Sequence, residues 1–154
     1  MNFLIHPKDF IINNVFLLDV KENTIMNGNF IKLIYSTKFI TLNGIFIEFP
    51  IQQYERKIYN GKSYLFFNHT DYSFLIDVFK NIESSLINLF IQNDCSRKHS
   101  KKTIVHTIFN QLKNGMIKYY QYSELINEPK FFMKISGIWE TATEIGLTYK
   151  LIQY

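Results

Sequence analysis

From Lys130 to Ile152 the chain reads KFFMKISGIWETATEIGLTYKLI, two alternating arms around a short polar turn. Side chains on a strand point to opposite faces with period two. Phe131, Met133, Ile135 and Trp139 therefore share one face of the first arm, and Lys130, Phe132, Lys134 and Ser136 share the other. The second arm divides Ile145, Leu147, Tyr149 and Leu151 from Thr148, Lys150 and Ile152. One face is expected to be core, with Trp139 in it, and the other bears lysines, hydroxyls and occasional aromatics. Such an outer face suits a polyanion with stackable bases, and it equally suits an ordinary half-exposed antiparallel hairpin.

The elements before this hairpin define a fold class. Short β-prone runs are expected near 14–20, 30–36, 39–49, 54–58 and 63–68, with turn signals at Asn27-Gly28-Asn29 and Asn60-Gly61. Gly44 interrupts the third run, where a bulge or sharp bend is expected. The period then changes. Leu75, Val78, Phe79, Ile82, Leu86, Leu89 and Phe90 recur at three and four, predicting a helix over about 72–93 with Asp71 or Ser73 as its N-cap. Ile104, Val105, Ile108, Phe109 and Leu112 predict a shorter second helix, closed at Asn114-Gly115. A strand over 116–122 precedes the terminal hairpin. No Pro/Gly/Ser linker or repeat divides the 154 residues, so one domain spanning 1–154 is expected. Segregated strands and helices indicate α+β. The element order also fits a curved, five- to six-stranded antiparallel barrel of the OB type, with one long and one shorter helix.

Net charge is +4, and it is unevenly placed. Residues 96–134 hold eight Lys or Arg against Glu124 and Glu128, a surplus of six, while the segments on either side are each slightly negative. A concentrated positive stretch is the footprint expected of a polyanion binder, though a solvated loop and helix face produces the same pattern. Within it, Lys118 and Tyr120 share a strand face, as do Lys130, Phe132 and Lys134 further on. With Lys150 they form a candidate single-strand site, in which lysines neutralise phosphates and Tyr120 and Phe132 stack bases. Arg97, Lys98, Lys101 and Lys102 form a candidate electrostatic arm.

Catalytic chemistry is poorly represented. There is no Gly-rich phosphate loop, HExxH or GxSxG. His69 lies beside Asp71, and Asp71 with Asp77 offers two carboxylates for a divalent ion, but no third ligand is signalled. Glu140 and Glu144 flank the terminal turn and read as solvated turn residues rather than an acid–base pair. We therefore expect no enzyme activity, no metal and no cofactor. Cys95 is the single cysteine, which excludes an internal disulfide. No run of about 18 apolar residues is present, and Met1–Pro7 lacks the features of a secretory leader. An intracellular, non-secreted protein without membrane partners is expected.

Ile, Asn, Lys, Phe and Tyr make up about half the chain, and lysine outnumbers arginine fifteen to two. These residues have AT-rich codons, which indicates an AT-rich genome. The segments Phe39–Phe49, Lys134–Thr141 and Gly146–Lys150 resemble small proteins of nucleocytoplasmic large DNA viruses, some of which are similar to phage-type single-stranded-DNA-binding proteins with an OB fold. The resemblance implies single-stranded DNA as partner, replication proteins as further partners, and a place in the host cytoplasm or the virion; a homo-oligomer is a separate expectation. Phage-type members end in an acidic tail closed by an aromatic residue. Here Tyr154 is present without the acids. A different reading of the aromatic surplus is a virion or assembly protein, with Tyr119–Tyr122 as an interface anchor.

Overall fold

The terminal hairpin is the spine of the molecule. In this computed structural model, which describes residues 3–23, 25, 27–94, 101–122 and 127–154, the strands are β1 (Val15–Asn23), β2 (Gly28–Ser36), β3 (Thr41–Leu42), β4 (Ile45–Glu48), β5 (Glu55–Tyr59), β6 (Lys62–Phe66), β7 (Thr103–Val105), β8 (Met116–Gln121), β9 (Phe131–Glu140) and β10 (Glu144–Gln153). The helices are α1 (Ser73–Asn93) and α2 (Thr107–Lys113). All ten strands join one sheet, whose main path runs β1-β2-β9-β10-β8-β6-β5. The α+β expectation holds. The barrel does not: the sheet is open, with β1 and β5 at the ends of its path, and it has more strands than the five or six expected.

Each outer edge of the hairpin is used twice. β2 pairs with residues 137–140 of β9 and β4 with residues 132–135. On the other side, β7 pairs in parallel with residues 144–146 of β10, and β8 with residues 151–153. Two short strands thus share each long strand edge. The break at Gly44 explains one of these divisions. Its φ of +119° is readily adopted only by glycine, and the bend carries the chain from β3, which pairs with β2, to β4, which pairs with β9. Any Cβ there would also lie 3.2 Å from the Ile135 carbonyl oxygen.

The core lies on one face of the sheet. Ile31, Leu33, Ile45, Ile47, Leu65, Ile117, Met133, Ile135, Ile138, Leu147 and Leu151 meet Phe79, Ile82, Leu86, Ile87 and Phe90 of α1. The buried stripe of the helix is rotated slightly from the expected one, since Leu75, Val78 and Leu89 are only partly buried. The helix start also differs: Asn68 caps the 3₁₀ turn His69–Tyr72 through Thr70 N, and neither Asp71 nor Ser73 is the cap. The second helix begins later than expected, because Thr103–Val105 is taken up as β7.

Helix α2 has no side-chain cap of its own. Glu83, fully buried on α1, supplies the missing acceptor: Ile108 N donates to one carboxylate oxygen at 3.1 Å and Phe109 N to the other at 2.9 Å. Two orphan donors are thus satisfied across the helix pair. Burial pushes the Glu83 carboxyl above its ordinary value, against the downward pull of these backbone donors and of nearby His106. A carboxyl raised in the folded state makes the fold bind the extra proton, so its stabilising effect is complete below the unfolded value and declines as pH rises through the folded one. Urea denaturation between pH 4 and 7 is expected to show this decline in the wild type, and its loss in Glu83→Gln. Glu83→Ala, which leaves both donors without an acceptor, is expected to cost about 1–3 kcal/mol.

Candidate nucleic-acid interface

The face of the sheet opposite the helices is built from lysines and aromatic rings. Residues directly opposite on paired strands point to the same side, so the registers define rows across the sheet. One row runs Phe46–Lys134–Lys150 across β4, β9 and β10. Ile152 pairs with Tyr120 in the parallel β10–β8 ladder, which places Lys118 level with Lys150 two residues earlier. Lys118 in turn pairs with Tyr64 of β6, and Tyr64 with Lys57 of β5. Three lysines, 134, 150 and 118, thus stand on three adjacent strands, spaced about 4.8 Å apart at the backbone.

Rings hold these ammonium groups. Lys118 Nζ and Lys150 Nζ lie 4.5 Å and 4.9 Å from the centre of the Tyr120 ring. Lys134 Nζ lies 5.4 Å from that of Phe46. Among the described residues none of the three forms an ion pair with a carboxylate. Like charges placed directly opposite destabilise a sheet, and the ring faces offset only part of that repulsion. An anion laid along the row removes it.

Trp139 belongs to this face, contrary to the expectation that it is core. The β9–β10 register passes from Gly137↔Thr148 to Ile135↔Tyr149, so Ser136 is an extra residue on β9. A one-residue bulge inverts the alternation beyond it. Phe131, Met133 and Ile135 point into the core before the bulge, and Ile138 and Glu140 do so after it, which turns Trp139 outward. Its indole lies over Gly146 and donates from Nε1 to the Leu147 carbonyl at 3.2 Å. Phe30 lies over Gly137 in the same manner. Each glycine leaves a flat patch of backbone on which a ring rests.

Lys118, Tyr120, Lys150, Trp139 and Phe30 line one hollow of about 690 Å³. It adjoins residues 147–150 of β10, which the ladder skips on that edge between β7 and β8. Gln111 of α2 borders it, with Oε1 accepting a 2.6 Å hydrogen bond from the Tyr149 hydroxyl. Burial, and then the charges of Glu83 and Tyr120, push that hydroxyl well above the usual phenol range.

The other sequence candidates are placed differently. Phe132 points outward but is buried at 3% exposure, covered by Phe46 at 6.0 Å and Tyr154 at 5.5 Å between ring centres, so it is not an open stacking platform. Lys130 is exposed just before β9, backbone-paired with Tyr154, and borders a separate hollow with Glu48. Lys102 is withdrawn from any electrostatic arm: its Nζ lies 3.0 Å from Glu140 Oε2, and both side chains are largely buried. Glu140 also accepts from Asn29 Nδ2 at 2.9 Å, so it is an inward-facing ion partner and not a solvated turn residue. Lys101 is exposed. Arg97 and Lys98 lie outside the described residues, as does Cys95. Among the described residues no three of His, Cys, Asp or Glu come together as metal ligands, and no helix is long and apolar enough to cross a membrane.

Phe30, Phe46, Tyr64 and Trp139 were not among the sequence candidates. Phe30 and Tyr64 carry the same alternation signal as the terminal hairpin, but only pairing reveals that their strands share its outer face. No known family model matches this chain, and no curated protein or solved structure matches it.

Gly146→Ala tests the indole's resting place. A Cβ there would lie 2.4 Å from Trp139 Cζ2. The indole is expected to be displaced, with a red shift of its emission and a loss of about 1–3 kcal/mol in denaturant unfolding.

Proposed function

We propose that this protein binds single-stranded DNA with broad tolerance of sequence and without catalysis, in replication, repair or recombination of an AT-rich, viral genome. The observation that carries this reading is the row Lys134–Lys150–Lys118, three adjacent ammonium groups without carboxylate partners among the described residues, held against Phe46 and Tyr120. A single strand offers what such a row lacks: regularly spaced negative charge, and bases able to stack on nearby rings at about 1–3 kcal/mol each. Phosphate contacts are assigned to Lys118, Lys134 and Lys150, with Lys130 at the margin, and stacking to Tyr120 and Trp139. The resemblance of Phe39–Phe49, Lys134–Thr141 and Gly146–Lys150 to small proteins of nucleocytoplasmic large DNA viruses, some of them similar to phage-type single-stranded-DNA-binding proteins, is in keeping with the same reading.

Oligo-dT titrations at several salt concentrations test it. Binding is expected to weaken steeply with salt, and the Lys118→Gln/Lys150→Gln pair to reduce the magnitude of the log–log slope by about 1.4, the single-strand value for two neutralised phosphates. Lys102→Gln is expected to leave the slope unchanged. Absence of binding at low salt, or an unchanged slope in the double variant, rules the site out.

A second reading rests on a different observation. β1 ends the sheet path with Phe16, Leu18 and Val20 exposed, and β5 ends it with Ile58 and Tyr59 exposed. Open apolar edges favour pairing with other chains. A virion assembly protein would use them, although Tyr119 is core and unavailable as an anchor. Light scattering with and without oligonucleotide separates the two: a stable oligomer indifferent to DNA supports assembly.

A further inference from the structure

The hollow beside Trp139 differs from the rest of the face in having depth, a polar wall and a gap in the strand ladder behind it. We propose that it takes one unstacked nucleotide of the bound strand and prefers a base bearing a keto oxygen, thymine or guanine, over one bearing an amino group in that place, adenine or cytosine. This rests on the single-strand reading above and adds a base preference at one position to it.

Three observations carry the inference. The first is size and lining: about 690 Å³ bordered by Trp139, Phe30 and Tyr120, within the range of pockets that enclose a small ligand. The second is charge. Lys118 and Lys150 meet over the Tyr120 ring at the border of this hollow, so a nucleotide entering it keeps its phosphates on the lysine row. The third is the polarity of the α2 wall. An amide normally offers both an acceptor and a donor. Here the Tyr149 hydroxyl occupies Gln111 Oε1 at 2.6 Å, and Gln111 Nε2 has no protein partner among the described residues. The wall therefore presents an N–H donor. A keto oxygen accepts from it, whereas an exocyclic amino group brings a donor against a donor, and an unmatched polar contact is costly once water is excluded. Glu22 borders the hollow from the β1 end and brings a carboxylate there, so the discrimination belongs to the Gln111 side.

The test uses the whole chain and oligonucleotides made of abasic spacers with one central dT, dG, dC or dA, so that self-stacking of the ligand is removed. Trp139, the single tryptophan, reports occupancy by its fluorescence. The expected result is quenching by all four, with dT and dG bound about fivefold more tightly than dA and dC, a ratio typical of one hydrogen bond. Gln111→Met is expected to keep binding and abolish the ratio. Equal affinity for the four in the wild type overturns the base preference and leaves the single-strand reading intact, as does a ratio that survives in Gln111→Met. Oligonucleotide binding measured by anisotropy without any change in Trp139 emission overturns the pocket. No binding of any oligonucleotide removes both readings together.

Discussion

One extra residue in β9 governs the character of the exposed face. Without the bulge at Ser136, strict alternation would carry Trp139 into the core with Phe131 and Met133, and would turn Ile138 outward. A side-chain period of two makes any single insertion invert everything beyond it. The bulge also falls where β2 ends its pairing with β9 and β4 begins its own. The same local irregularity thus bends the spine, divides its partners and sets an indole beside a row of lysines.

The helices contribute to that surface indirectly. Glu83 leaves α1 only to receive two backbone donors from α2, and this contact fixes the second helix against the first. Gln111, one turn further along α2, then reaches Tyr149 on β10. Two separate hydrogen-bonded contacts, Glu83 with the start of α2 and Tyr149 with Gln111, thus hold α2 beside the hollow. Burying Glu83 costs desolvation, visible in the raised proton affinity of its carboxyl, and the backbone donors offset part of that cost.

The lysine row tells the opposite story about stability. Lys134 and Lys150 are directly opposed, and Lys118 follows on the next strand. A sheet optimised only for stability would place carboxylates among them, as it does for Lys102 with Glu140. The contrast separates a lysine paired to a buried carboxylate from lysines without a carboxylate partner among the described residues. Lys102, Lys118 and Lys134 all lie within the positive stretch of the sequence, and composition treats them alike.

Much of the fold was legible locally. The long helix, the Asn60-Gly61 hairpin, the Asn114-Gly115 helix end and the terminal hairpin follow from period, turn chemistry and capping within a few residues of each other. The outward facing of Lys118, Tyr120 and Lys150 was also readable, because alternation alone assigns them to the polar side of their strands. What the chain could not disclose was non-local: sheet closure, the Ser136 bulge, the cover that Phe46 and Tyr154 place over Phe132, and the capture of Lys102 by Glu140. Each depends on which strand lies beside which, and pairing energies accumulate over segments far apart in sequence, leaving no local trace. By itself the sequence determined which residues alternate and where the chain turns; the tertiary structure alone decided which alternating faces join, because a residue's exposure is a property of its neighbours.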